Sequence, residues 1–344
     1  MKLKLTRFSY TDFIKRNVFN HSIRRINIFK LFYLWSKGFD TKNIILYKLN
    51  FSNWCNYLPD SIRYKITLNT NQNYWPILHD KFLFYSFIND KLPTPELFGI
   101  IHQGSIFGVK ENYNYEIFLK QIFSKTKLVL KPLQGGKGQG ILFIDFDGEN
   151  ILVQNEILSE GSLHNQIKSL SEYGIFKYYE QHKELSKIFP LTINTIRLVT
   201  FVDENTRPSI FAGVLRVGWS GSIPFDNFSQ GGMVSLIDCE TGKLSPWLSR
   251  ASNGMLLQGN LHPDSKASFE SIILPHWNQI KDEMLAFLAK YPIFEYVGWD
   301  ILVTDYGFVI IEGNHNPDLD LIQVHKPYLT DKRAKKFFKS KNII

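Results

Sequence analysis

Hydrophobic and polar positions change period several times along the chain, and each change marks an element. The most informative stretch is late: residues 296–304, the triplet Asp305-Tyr306-Gly307, then residues 308–314. Two apolar, β-branched runs around a short turn predict a β-hairpin with a three-residue loop closed by Gly307. That loop sets Thr304 against Phe308, Leu302 against Ile310, and Asp300 against Glu312. The strand period of two keeps Asn314 on the side of Glu312. Opposed side chains have Cβ atoms about 4.5–5.5 Å apart, so two carboxylates there repel unless a cation joins them. Oxygen donors at Asp300, Glu312 and Asn314 point to a hard ion, Mg²⁺ or Mn²⁺. The alternative is a solvated hairpin end with its acids pointing apart. The apolar Trp299, Ile301, Ile310 and Ile311 argue instead for a buried strand pair.

Elsewhere the period alternates between helix and strand. Residues 13–26 and 29–35 carry apolar positions at three- and four-residue steps, with arginines beside them, and predict helices stopping near Gly38. They would dock on the main body or lie on a membrane surface. Residues 80–88 predict another helix, ended by Pro93-Thr94-Pro95. Strands follow at 128–131, 140–145 and 151–156. The first two flank Pro132-Leu133-Gln134-Gly135-Gly136-Lys137-Gly138-Gln139-Gly140, where glycines let backbone N–H groups approach an anion and Lys131 and Lys137 add charge. This is neither a Walker A loop nor a dinucleotide fingerprint, because no helix opens there. It is a flap over phosphates or a plain flexible hairpin. Residues 194–201 alternate, with Ile196 and Leu198 on one face and Thr195, Arg197 and Val199 on the other; residues 209–217 form a second strand bearing Arg216. An arginine among apolar strand residues needs an anion, either an ordinary Asp or Glu or a bound phosphate or carboxylate. A loop at 224–232 gathers amides and a Gly pair. A helix from about Pro275 points Trp277, Ile280, Met284 and Phe287 at the core. The basic tail 326–341 is expected to be solvated.

Composition narrows the class. The chain has 344 residues, 44% hydrophobic and 15% aromatic, enough for a large folded core. Its formal net charge is +8, concentrated in the first 48 residues, where eleven lysines and arginines face two aspartates. Such a start could bind an anionic membrane surface or an acidic glycan, more readily than nucleic acid. The preferred reading is a bias towards lysine in a chain rich in Lys, Asn, Ile and Phe throughout. Two cysteines, Cys55 and Cys239, lie far apart without metal spacing. With no apolar run of membrane-spanning length, the expected location is cytoplasmic, peripheral to the inner membrane face.

Taken in order, these pieces resemble the ATP-grasp superfamily, and most closely its sugar-transfer-associated branch, found with polysaccharide biosynthesis. The residues carrying the resemblance are Asp80-Lys81, Pro93-Thr94-Pro95, Lys131-Pro132 with Gly135 to Gly140, Asn194-Thr195-Ile196-Arg197, Asp226 through Gly232, Gly298-Trp299-Asp300 and Glu312-Gly313-Asn314. They span Asp80 to Gln323. The resemblance implies an α+β fold with two subdomains gripping a nucleotide between antiparallel sheets, behind a basic helical N-terminal segment. The implied division is 1–75 for that segment, 76–157 and 158–325 for the two subdomains, and 326–344 for a tail. It also implies roles. Lys81 and Lys131 would hold the α- and β-phosphates of ATP, and Gly135, Gly136 and Gly138, with Lys137 beside them, would close over the β- and γ-phosphates. Adenine would lie at Gln154, Asn155, Glu156 and Ile157. Asp300, Glu312 and Asn314 would hold Mg²⁺ or Mn²⁺, Arg197 would stabilise the moving phosphoryl group, and Arg216 would face the acceptor. His315 stands where the family often has a proline or a small residue.

The implied reaction is carboxylate–amine ligation through an acyl phosphate, joining a small-molecule or glycan carboxylate to an amine, with cell-surface polysaccharide as the setting. Two alternatives remain open at this stage. One is phosphorylation of a sugar or polyol hydroxyl, with Asp226 as base. The other is a non-catalytic membrane- or nucleic-acid-binding module on the same scaffold.

Overall fold

The computed structural model describes residues 26–109, 113–136, 138–223 and 226–344. The helix expected at 13–26 therefore lies almost wholly outside the described residues, as does Lys137. The helix expected at 29–35 is present as Ile28–Ser36, with Asn27 capping it by accepting from the N–H of Phe29 and Lys30. Among the described residues no helix is long and apolar enough to cross a membrane.

Two seven-stranded sheets, in which every named pairing is antiparallel, make up the body. The first holds β1 (Leu97–His102), β2 (Ser105–Gly108), β3 (Leu128–Pro132), β4 (Leu142–Phe146), β5 (Ile151–Val153), β6 (Glu156–Leu158) and β7 (Tyr173–Lys177). Their order is β2-β1-β7-β3-β4-β5-β6. Because β7 sits between β1 and β3, this layer runs past residue 157 before the chain crosses to the second sheet. The strand expected at 151–156 is a tight hairpin instead. Gln154 and Asn155 take left-handed backbone, φ 55° and 68°, and turn β5 into β6, the sign of φ that two-residue hairpin turns require.

The second sheet holds β8 (Thr195–Val202), β9 (Pro208–Val217), β10 (Met233–Ile237), β11 (Leu244–Arg250), β12 (Leu256–Gly259), β13 (Tyr296–Thr304) and β14 (Gly307–Asn314), ordered β12-β11-β10-β9-β8-β13-β14. Every residue of β8 and β13 is buried, because both faces of this sheet are covered. On one side Ile196, Leu198 and Leu215 meet Trp277, Ile280, Met284 and Phe287 of the helix Trp277–Lys290. On the other, Val199, Phe201 and Val214 meet Leu31 and Leu34 of the first helix and Phe337 and Phe338 near the C-terminus. The first sheet has a separate core on one face, against the helices Tyr115–Phe123 and Glu160–Ser169.

The tail corrects an expectation. Lys332–Ser340 is a helix whose Ala334, Phe337 and Phe338 are buried while Lys332, Arg333, Lys335, Lys336 and Lys339 face solvent. Three apolar side chains at helical spacing among five cations dock one face and solvate the other. Phe338 lies 5.5 Å, ring to ring, from Tyr296 of β13. Phe338→Ala is expected to cost about 3–5 kcal/mol of unfolding free energy, read as a shift in the urea midpoint at constant slope. A loss below about 1 kcal/mol is what a solvated tail would give.

Candidate functional site

The hairpin of β13 and β14 brings Asp300 opposite Glu312, as expected, but by a different route. The turn is one residue tighter: Thr304 pairs with Gly307, Val303 with Phe308 and Ile301 with Ile310, so the expected Thr304–Phe308 and Leu302–Ile310 pairs do not form. An irregularity then leaves Ile311 as the extra residue before Glu312. This bulge restores the acid pairing that the tighter turn alone would have lost. Asn314 lies close by, its Nδ2 donating to Glu312 Oε1 at 3.4 Å.

The cation that opposed acids require is, at Asp300, an arginine pair. Arg197 is the register partner of Asp300 on β8. Its Nε donates to Oδ1, and its Nη2 donates to Oδ2 at 3.1 Å. Arg216, from β9, donates through Nη2 to the same Oδ2 at 3.0 Å. All three are buried, at 5%, 7% and 8% exposure. Burial alone would push the Asp300 carboxyl up, but Arg197 and Arg216 hold it below its ordinary range. Both arginines thus have the ordinary acid partner that the sequence left open. Arg216 also donates to Thr195 Oγ1 at 2.9 Å and sits 3.5 Å from Asp226, which accepts from Thr195 at 2.5 Å.

Facing these acids is the β3–β4 loop. Gly135 and Gly138 have φ of 110° and 72°, and nothing lies within 4 Å of where a Cβ on Gly135 or Gly136 would stand. Asp80 caps the helix Lys81–Ile88 and accepts from Gln134 at 3.1 Å, while Lys81 Nζ donates to Gly135 O at 3.2 Å. Lys131 lies 5.1 Å above the Phe176 ring. Burial pushes its ammonium down to about 8; Glu312 acts in the opposite sense and Lys81 in the same.

Asp300, Glu312, both arginines, Lys81, Lys131 and the loop glycines line one cleft of about 530 Å³ between the two sheets. Of the residues singled out from sequence, Lys81, Lys131, Gly135, Gly136, Gly138, Gln154, Arg197, Arg216, Asp300, Glu312 and Asn314 line it. Asn155, Glu156 and Ile157 do not. They belong to the β5–β6 edge hairpin, where Ile157 is 67% exposed. Lys177, Tyr178 and Tyr179, where the chain leaves β7 to cross between sheets, line the cleft beside Gln154. That short mixed run has no periodicity to mark it. Arg63, from the N-terminal helical region, also reaches the cleft unannounced. Among the described residues no group of three His, Cys, Asp or Glu could hold a metal. The two acids and Asn314 nonetheless supply only hard oxygen donors, and Asp300 is kept ionised, so the set fits Mg²⁺ or Mn²⁺ provided Asp300 is shared with its arginines.

A family profile described as sugar-transfer associated ATP-grasp matches residues 60–337. The chain belongs to that family. Solved structures with similar folds include D-alanine–D-alanine ligase from Bacillus anthracis, at 14% identity and a TM-score of 0.39, over 77% of this chain and 69% of that one. D-alanyl-alanine synthetase A from Vibrio cholerae is similar at 9% identity and 0.43, over 77% and 65%. N5-carboxyaminoimidazole ribonucleotide synthetase from Thermus thermophilus is similar at 11% and 0.37, over 71% and 46%. This ATP-grasp chain therefore spans less than two thirds of the latter two. No curated protein matches it.

Lys131 yields a pH test. Its folded value of about 8 lies below the ordinary 10.5, so between those limits the unfolded chain binds more protons than the fold. Stability of the ligand-free protein should therefore rise with pH from about 8 towards 10.5 through this group. Lys131→Met should remove that rise and raise the urea midpoint at pH 7. Parallel pH profiles for the two proteins would refute this.

Proposed function

We propose that this protein is an ATP- and Mg²⁺-dependent carboxylate–amine ligase acting on a cell-surface polysaccharide or its precursor. One observation carries the reading: a glycine loop with Lys81 and Lys131 faces Asp300, Glu312, Asn314 and two arginines across a single cleft. The loop and lysines bind the triphosphate through backbone N–H groups and charge. Adenine lies against the cleft face of the first sheet, at Val129, Phe143 and Gln154, beside the crossing segment Lys177–Tyr179. Asp300, Glu312 and Asn314 would hold the divalent ion, which when bound neutralises charge on the triphosphate. Arg197 and Arg216, both in the cleft, stabilise the transferring phosphoryl group and orient the carboxylate.

A carboxylate oxygen attacks the γ-phosphorus and ADP leaves. The amine nitrogen then attacks the acyl carbon, the carbon–oxygen bond to phosphate breaks, and phosphate departs with its electron pair. Across the reaction a carboxylate and an ammonium become an amide, and one proton is released near neutral pH. Positioning and charge neutralisation supply most of the rate, with no covalent enzyme group. Phosphorylation of a hydroxyl is the second reading; its candidate base, Asp226, accepts from Thr195 through Oδ2, which also lies 3.5 Å from Arg216. The family's association with sugar transfer supports the glycan setting. The exposed Ile28, Phe29 and Phe32 and the cationic face of the last helix suit a peripheral position at an anionic membrane.

The test is ADP release in the presence of Mg²⁺, with amino acids and uronic-acid glycans as substrates and products read by mass spectrometry. Amide product with free phosphate is expected. Glu312→Gln should lower turnover at least about a hundredfold, since loss of charge stabilisation at the phosphates is worth several kcal/mol, while its circular dichroism is unchanged. Wild-type turnover in that variant, or a phosphorylated hydroxyl without free phosphate, overturns the reading.

A further inference from the structure

Arg63 comes from outside both sheets, yet it lines the cleft together with Asn316, Pro317 and Asp318. It opens the helix Arg63–Asn69. Its Nη1 donates to Asp318 Oδ1 at 2.6 Å, and its Nη2 donates to the carbonyl of Asn316 at 2.9 Å. Asn316 answers through Nδ2, which donates to the carbonyl of Arg63 at 3.2 Å and to Thr67 Oγ1 at 2.8 Å. The guanidinium is thus fixed in place with two of its five N–H donors used. The second carboxylate oxygen of Asp318 has no hydrogen-bond partner among the described residues.

This ion pair differs from the one at Asp300. Its side chains are 40% and 49% exposed, against 7–10% for Asp300 and its arginines. A pair that open contributes little to stability, about 0–1 kcal/mol, so a ligand can exchange into it cheaply. The loop bearing it also adjoins the centre proposed for phosphoryl transfer. A Cβ built on Gly298 would stand 2.6 Å from Pro317 Cβ and 3.1 Å from Arg197 Cδ. The cleft wall therefore runs from Arg197 past Pro317, both packed on Gly298, to a fixed guanidinium and a half-engaged carboxylate.

We propose that Arg63 and Asp318 recognise the amine substrate, and that this substrate is an α-amino acid. Its carboxylate lies on the fork of Arg63 and its ammonium on Asp318. A planar guanidinium matches a carboxylate through two parallel N–H bonds, and the adjacent acid matches the ammonium. An amine without a carboxylate would leave Arg63 with Asp318 and the Asn316 carbonyl and gain nothing from the fork. The inference rests on the ligase reading for the step that consumes the amine; the recognition itself does not depend on that step.

The experiment is thermal protection of the full chain, saturated with Mg²⁺ and a non-hydrolysable ATP analogue, by the common amino acids of both hands and by their decarboxylated amines. At least one amino acid should protect while its amine does not. Arg63→Met should raise the half-protecting concentration about tenfold or more, the usual worth of a charge-assisted contact, without changing affinity for the nucleotide analogue. If Arg63→Met lowers the folded fraction, Asp318→Asn reads the same loss from the ammonium side. Absence of protection by any amino acid, equal protection by the amines, or protection that survives both substitutions overturns the proposal. The two readings part cleanly. Protection without ADP release sinks the ligase and leaves this site standing, whereas amide formation from amines lacking a carboxylate sinks this site and leaves the ligase.

Discussion

One buried carboxylate organises the site. Asp300 holds two guanidinium groups from neighbouring strands, and each member of the trio would be prohibitively placed without the others. Removing one partner from a buried pair costs about 3–5 kcal/mol, because an uncompensated charge remains. The trio also fixes register. Since successive side chains alternate faces, a one-residue slip of β13 against β8 would send Asp300 to the opposite side and strand both arginines. The same constraint aims two permanent positive charges into the cleft, opposite the glycine loop. Fold and chemistry therefore share one set of atoms.

The second sheet can carry this burden because it is covered on both faces. Helices from the two ends of the chain close one side, and the helix Trp277–Lys290 closes the other. The N-terminal helices are thus part of the second layer's core, and through Arg63 they reach the cleft as well. Tyr296 shows how closely the ends are bound in: its hydroxyl donates to that of Tyr328 at 3.0 Å, and its backbone bonds Asn71.

Much of this was legible in the sequence, though not always for the right reason. The alternation at residues 194–201 separated the two faces of β8 correctly, because both faces bury apolar side chains. The opposition of Asp300 and Glu312 was also legible, but the turn is tighter and the Ile311 bulge compensates. A bulge within an unbroken apolar run leaves no mark in composition. The stretch 151–156 reads as one strand because Ile151, Leu152 and Val153 precede Glu156 and Ile157 without a glycine. Gln154 and Asn155 turn the chain using left-handed backbone that tertiary pairing enforces. In the tail, five cations mask three apolar positions at helical spacing, so charge alone reads it as solvated. Arg63 could not be placed at all, because its meaning depends on a loop more than two hundred and fifty residues away.

Among the described residues the first sheet packs its helices against one face. Its other face, with Val129, Ile141 and a 39% exposed Phe143, looks into the cleft. A flat heterocycle seated there would complete the layer much as a missing helix would. Occupancy should then resemble a small folding event, with a negative heat-capacity change from apolar area leaving water and slower amide hydrogen exchange along β3 and β4. The ligand would be, in thermal terms, part of the protein's own interior.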